Sequence, residues 1–509
     1  MRPDRRKFIR QTLSAALGGA GLYSALGNLQ LLQAATRGNY VFTDYKALVC
    51  VFLYGGNDGF NTIVPYTQSA FNGFFGAGGV RPQLALTRAQ LHPLTDLTGS
   101  SGDGIQYAFH PQMGALATLF NQANSPLAIM ANVGTLVGPV TQAQYLAGSA
   151  PLPPQLYSHS DQSAYWQSSP PSNAPATGWG GRICDLVASA NPANIPILTS
   201  LSGEDAFIRG DSVNGYIMNA SQALTVDLPY DDRGQLAPAF NALQAQGAQS
   251  HMLERTYAGT LNHAVSTAAI MQQALNAAGA PTFASFFPQS DGYNFDAQLQ
   301  TTARLIWAAY HNVPGYSGLR RQVFYVNTGG YDTHSDQLPQ HVDLLARLSR
   351  ALVGFYNALN SITIPGGTLA DVATAFTASD FGRSMTANNA GSDHGWGSHH
   401  LVLGGAVQGG RFYGNGCGFT GAAANFGLVM PSLVVPTPSS YGVPSPNKND
   451  PGDGNGRLIP TTSVDQYAAT LAHWFGLNNS DISLIFPNLN QYSASSYYNP
   501  SAGYLGFMG

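Results

Sequence analysis

The strongest constraint on how this chain can fold is a pattern that occurs four times: a short apolar run that stops at a polar, glycine-bearing loop. Ala47-Leu48-Val49-Cys50-Val51-Phe52-Leu53 runs into Tyr54-Gly55-Gly56-Asn57-Asp58-Gly59. Pro126 to Ala131 runs into Asn132-Val133-Gly134, Val323 to Val326 into Thr328-Gly329-Gly330-Tyr331-Asp332, and Val372 to Thr377 into Ser379-Asp380-Phe381-Gly382. Unbroken apolar runs of this length suit strands that are buried on both faces. Helical patterns lie between them, clearest from His341 to Leu359, where Leu344, Leu345, Leu348, Leu352, Phe355 and Leu359 recur at steps of three and four. Strand, polar loop and helix in repetition predict an α/β fold with a central, mostly parallel sheet flanked by helices on both faces. In open sheets of that kind ligands sit beyond the carboxyl ends of the strands. The polar loops are therefore where a site is expected.

The N-terminus reads differently. Arg5-Arg6-Lys7-Phe8-Ile9-Arg10 precedes an uncharged, mostly small and apolar run from Gln11 to about Leu32, then the small residues Ala34-Ala35. These are the three regions of a signal peptide, expected to occupy residues 1–36. The paired arginines resemble the consensus read by the twin-arginine translocase, and Gly18, Gly19 and Gly21 keep the middle region only mildly apolar. The expectation is a periplasmic or secreted protein, with that translocase as its partner during export. Charged residues are 9% of the chain, against about 25% in ordinary domains. With a net charge of -4 and no basic run beyond the signal, nothing favours a nucleic-acid or anionic-membrane partner. No second apolar stretch approaches a membrane span, so none is expected after signal removal. Cys50, Cys184 and Cys417 are too dispersed for a disulfide framework or a zinc knuckle, and allow one bridge at most. The Ala- and Gln-rich segment around 235–310 reads as a helical cover or insertion.

Acidic and imidazole residues gather at the loop ends. His334 follows Asp332 by two, Asp393 adjoins His394, and His399-His400 come shortly after. Borderline dications such as zinc and manganese take carboxylates and neutral imidazoles drawn from several loops of a rigid frame. Asp58 and Asp380, each at a strand end, would complete a set for one or two divalent ions. His399 and His400 open the strand-like Leu401-Val402-Leu403, where neighbours point to opposite faces, and His399 is taken as the one facing the site. The bland alternative is that each Asp at such a junction is a turn former or helix cap.

Tyr157-Ser158-His159-Ser160-Asp161-Gln162-Ser163 precedes a helical register, which puts Ser160 at a helix N-terminus. Exposed N–H groups there favour an anion, although Ser158 or Ser160 as an ordinary N-cap fits equally well. Arg182 and Arg383, each beside glycines, suit either the clamping of an anionic group or pairing with a carboxylate.

Taken together, the paired arginines, Gly55-Gly56-Asn57-Asp58-Gly59-Phe60-Asn61-Thr62, Ser158-His159-Ser160, Gly329-Gly330-Tyr331-Asp332-Thr333-His334, Asp380-Phe381-Gly382-Arg383 and Asp393-His394-Gly395 resemble the exported bacterial family called domain of unknown function 1501. That family looks like a distant branch of the alkaline phosphatase and sulfatase superfamily. The resemblance implies one alkaline-phosphatase-like domain over 37–509, with a metal site at the strand ends. Carried over residue by residue, it implies Asp58 as the first metal carboxylate and Ser160 or Ser158 as the nucleophile. It further implies Asp332 with His334 at one metal, Asp380 as the later carboxylate, and His394 or His399 as the last imidazole. Two positions depart from the superfamily pattern: Asp332 and His334 differ by two where four is usual, and Phe381 stands where an imidazole usually follows the later Asp. The activity this implies is hydrolysis of a small anionic phosphate or sulfate ester, with Arg383 steadying its oxygens. The alternative is a noncatalytic periplasmic binding or assembly protein that keeps the frame.

Overall fold

The computed structural model describes residues 40–95, 105–169, 177–220, 236–243, 245, 251–288, 294–414, 451–452, 454–495 and 498–509. The expected signal segment at 1–36 and Cys417 lie outside these residues. The chain forms a mixed α/β structure around a nine-stranded sheet. Its strands are β1 (Lys46–Leu53), β2 (Leu127–Gly134), β3 (Leu198–Ser200), β4 (Tyr216–Ile217), β5 (Arg321–Thr328), β6 (Ala373–Ser379), β7 (Ser398–Gly404), β8 (Phe412–Tyr413) and β9 (Thr462–Ser463). The order across the sheet is β8-β2-β7-β6-β1-β5-β3-β4, with β9 also pairing with β2. All pairings are parallel except those of β7, which runs antiparallel to both β6 and β2.

The apolar runs behave as their composition predicts. Every residue of β1 after Lys46 is buried, and so is every residue of β2 and β6. Successive side chains of a strand point to opposite faces, so the centre of the sheet is covered on both. The helices used below are α1 (Gly59–Thr62), α2 (His159–Ser168), α3 (Trp179–Val187), α4 (Met252–Leu275), α5 (Phe295–Tyr310), α6 (Gln337–Asn360) and α7 (Val464–Phe475). In α6 the leucines at 344, 345, 348, 352 and 359 and Phe355 are all buried. This is the apolar stripe of an amphipathic helix, and each such side chain contributes about 2 kcal/mol on burial. The capping box of Ser463 with Gln466 starts α7, and Gly476 at φ 108° ends it. Its Tyr467 hydroxyl reaches the carbonyls of Thr377 and Leu401, 3.4 Å each, across two neighbouring strands.

Residues 236–310 carry the helices Leu236–Leu243, α4 and α5. Cys50 and Cys184 are free, buried thiols. Among the described residues, no helix is long and apolar enough to cross a membrane.

Register decides where the polar loops meet. Leu53 at the end of β1 stands opposite Thr328 of β5 on one side and Ser379 of β6 on the other. Three adjacent parallel strands therefore stop at one level, and the loops carrying Tyr54-Gly55, Asp332 and Asp380 leave the sheet side by side. Because β7 is antiparallel to β6, its first residues, Ser398 to His400, begin at that same edge.

Candidate functional site

At this edge the side chains of His159, Asp332, His334, Asp380, Arg383 and His394 come together. Asp332 is the centre. Its Oδ1 lies 2.7 Å from Arg383 Nη1, 3.0 Å from His334 Nε2 and 3.3 Å from His394 Nε2, and its Oδ2 lies 3.4 Å from His159 Nε2. The Nε2 atoms of His334 and His394 are 2.9 Å apart. His159 Nδ1 is 2.6 Å from Asp380 Oδ2, to which the Gly55 N–H also donates at 3.1 Å. His394 Nδ1 is 2.7 Å from the Tyr157 carbonyl, and His334 Nδ1 is 3.4 Å from Asp393 Oδ1. His159, Asp332 and His394 each present one donor atom within 4.8 Å of the other two.

Charge explains the state of these groups. The hydrogen bond to Asp380 raises the pKa of His159 above the usual imidazole value, more than burial lowers it. Burial pushes the Asp332 carboxyl up, but the hydrogen bond and charge of Arg383, with His334 and His159, leave it below the ordinary range. Burial lowers His394. Asp332 is 45% exposed whereas Asp380 is 2% exposed. The cluster is thus open on the Asp332 side and closed behind Asp380.

Local backbone builds this arrangement. Tyr157, at φ 72°, turns the chain into α2, whose first residue is His159. Ser158 makes no side-chain bond to the helix backbone; its hydroxyl donates to Asp161 Oδ2 at 2.5 Å. Ser160 is exposed, with its hydroxyl 3.3 Å from that of Ser158 and 3.4 Å from Asp161 Oδ2. The residue of this motif that reaches the cluster is the histidine between the two serines. Phe381 packs on the same rings, its centroid 4.7 Å from that of His159 and 4.6 Å from that of His394.

Asp58, His399 and His400 make their contacts outside this cluster. Asp58 is fully buried and caps α1, accepting from the N–H groups of Phe60 and Asn61. Its carboxylate pairs with Arg81, 2.9 Å from Nη1, and also accepts from Gln337 Nε2. Burial pushes the Asp58 pKa up, but Arg81, His341, Gln337 and Arg383 together hold it below the usual carboxylate value. His399 is buried against Phe60, its Nδ1 accepting the Asn132 N–H at 3.1 Å. His400 points the other way, 5.2 Å from the Trp166 ring centroid, with Nδ1 3.3 Å from the Thr377 hydroxyl. Burial lowers the pKa of His399 to about 4 and that of His400 to about 3. Arg383 has no exposed side-chain surface, and its donors go to Asp332, the Gly55 carbonyl and Ser392. Arg182 donates to the carbonyls of Ser168 and Ser169, which close α2.

Sequence reasoning named His159 and Asp393 only as members of motifs, with no role assigned, and did not single out Arg81 or the Tyr157 carbonyl. For His159 the signal was present, an imidazole at the start of a helix beside two proposed hydroxyls. A backbone carbonyl in a left-handed turn leaves no such mark.

Two imidazoles and a carboxylate at this spacing suit a borderline dication. A family model described as a protein of unknown function, DUF1501, matches residues 45–435. No curated protein and no solved structure matches the chain.

Proposed function

The chain belongs to the DUF1501 family of proteins of unknown function, and from the polar cluster at its strand ends we propose an exported, metal-dependent hydrolase of phosphate or sulfate esters on an alkaline-phosphatase-like frame. The observation that carries this reading is the convergence of His159, Asp332 and His394 donor atoms within 4.8 Å, beyond the carboxyl ends of parallel strands where α/β folds keep their ligands. These three would hold one divalent cation, zinc or manganese by donor chemistry, with His334 Nε2 adjoining. A bound cation there supplies Lewis-acid polarisation and brings the pKa of a water to about 7. Arg383 holds Asp332 in place. The exposed face of Asp332 and His334 gives an ester access. The twin-arginine-like signal supports export of a protein already folded around its metal.

The test is elemental analysis of protein purified without chelator, followed by a screen of phosphate and sulfate monoesters. The reading expects bound metal and metal-dependent turnover, both lost in Asp332→Ala. Ser160→Ala in the same screen separates the two modes of attack. A serine nucleophile loses turnover and keeps the metal, whereas attack by water keeps both. Protein without metal in the wild type ends the proposal.

The second reading, a noncatalytic binding or assembly protein on the same frame, draws on Phe381 and on Arg383. The first puts an apolar ring where an imidazole is usual in the superfamily, and the second spends its donors within the protein. It expects metal without turnover.

A further inference from the structure

Each of the three imidazoles in the cluster has its Nδ1 turned to an oxygen: the Asp380 carboxylate for His159 at 2.6 Å, the Tyr157 carbonyl for His394 at 2.7 Å, and the Asp393 carboxylate for His334 at 3.4 Å. A carbonyl or an ionised carboxylate only accepts, so the shorter contacts put the proton of neutral His159 and His394 on Nδ1 and leave a lone pair on each Nε2, whereas His334 Nε2, 3.0 Å from Asp332 Oδ1, is placed to donate there. The lone pairs of His159 and His394 both face the Asp332 carboxylate. His394 Nε2 is 3.3 Å from Asp332 Oδ1, and His159 Nε2 is 3.4 Å from Asp332 Oδ2. Facing acceptors at such distances repel unless something positive lies among them; Arg383 sits beside Asp332 Oδ1, and His159 Nε2, buried without a hydrogen-bond partner, is where an added cation would relieve the rest.

We propose that this edge is a one-cation centre in which Asp380 is a positioning residue, fixing the tautomer and aim of His159 from behind, and is not a ligand to a second ion. The inference rests on the metal-dependent reading above and specifies how that site is built. Asp380 Oδ2 is committed to His159 Nδ1 and to the Gly55 N–H. The adjacent space is apolar: the Phe381 ring lies against both His159 and His394. That ring packs directly on Gly56, where an added Cβ would fall 2.6 Å from it. The other Asp380 oxygen, Oδ1, is buried without a hydrogen-bond partner, and it is the atom a second ion would have to use. A carboxylate behind a ligating histidine orients the ring and raises its basicity, and removing such a partner weakens metal affinity by roughly 10- to 100-fold.

The experiment loads the full-length protein with zinc, measures ions bound per chain, and determines affinity by chelator competition. Wild type is expected to bind one ion per chain. Asp380→Asn is expected to bind one ion with roughly 10- to 100-fold lower affinity, and Asp332→Ala to bind none. Two ions in wild type, with one lost in Asp380→Asn, would overturn the one-cation assignment while leaving metal-dependent hydrolysis standing. An Asp380→Asn affinity within about threefold of wild type, too little for a lost second-sphere partner, would overturn the positioning role. No bound ion at all would remove both proposals. The wild-type stoichiometry needs no variant, and the apo-protein's far-ultraviolet circular dichroism identifies a variant that has failed to fold.

Discussion

Asp58 and Arg81 illustrate what burial does to a charge. Both side chains have no exposed surface, and the pair is closed by Asn61, Gln337 and the Ser384 carbonyl. A buried ion pair adds little net stability over an apolar replacement, but removing one partner strands the other, at a cost of about 3–5 kcal/mol. Asp58→Asn keeps a side chain able to cap α1 and removes only the charge. We expect denaturant unfolding to show a loss of about 3 kcal/mol with zinc bound per folded chain unchanged. A loss of metal alongside intact stability would instead make Asp58 a ligand.

The loop after β1 shows how an element, not a single residue, positions the centre. Gly55 has φ 114°, and a Cβ there would lie 2.3 Å from the Asp332 backbone nitrogen. Its N–H meets Asp380 and its carbonyl meets Arg383, so one glycine ties together the loops that follow β1, β5 and β6. A side chain cannot enter without moving the Asp332 loop, and the positive φ alone costs about 1–3 kcal/mol for a non-glycine residue. Gly55→Ala is therefore expected to lower unfolding stability by at least that amount and to weaken zinc binding in the fraction that folds. Unchanged affinity would show that the loops are held in register without this contact.

Across the whole molecule, four buried histidines are kept neutral by burial: His110 and His400, with pKa lowered to about 3, and His341 and His399, lowered to about 4. In the unfolded chain each titrates near 6.5. As the pH falls from about 6.5 towards 4, the unfolded state takes up protons that the folded state refuses, and stability falls with it. His159 works in the opposite sense, because its raised pKa contributes stability that is present below about 6.5 and lost on going above its folded value. Asp465, which burial raises to about 6, and Asp185, also raised by burial, oppose the four histidines in the same way, whereas His394, lowered by burial, adds to them. Thermal melts of the apo-protein should drop progressively as the pH falls from about 6.5 to 4. His400→Phe, which keeps a ring beside Trp166 and Tyr467, should make the drop shallower; an unaltered profile would show that His400 does not carry its share. The fold also reaches past the family match at residue 435, because all of α7 except His473 is buried.

Much of this architecture follows from local sequence. Unbroken apolar runs can satisfy their side chains only as strands covered on both faces, and the leucine spacing of α6 leaves one face to bury. That Asp332, His334 and Asp380 belong to polar segments at strand ends was likewise legible, because each follows such a run; His394 instead ends the short strand Ser392–His394, paired with Arg383. Which of them meet was not legible. The common level of β1, β5 and β6 arises from long-range pairing, and it brings His159 to Asp380 across 221 positions of sequence. The turn at Tyr157 aims the histidine, not the serines, at the cluster. Asp58 sits at a strand end like Asp332, yet Arg81 and Gln337 hold it in the interior. Sequence pattern specifies which groups are polar and near an edge, whereas their direction depends on packing and charge partners that only the assembled chain supplies.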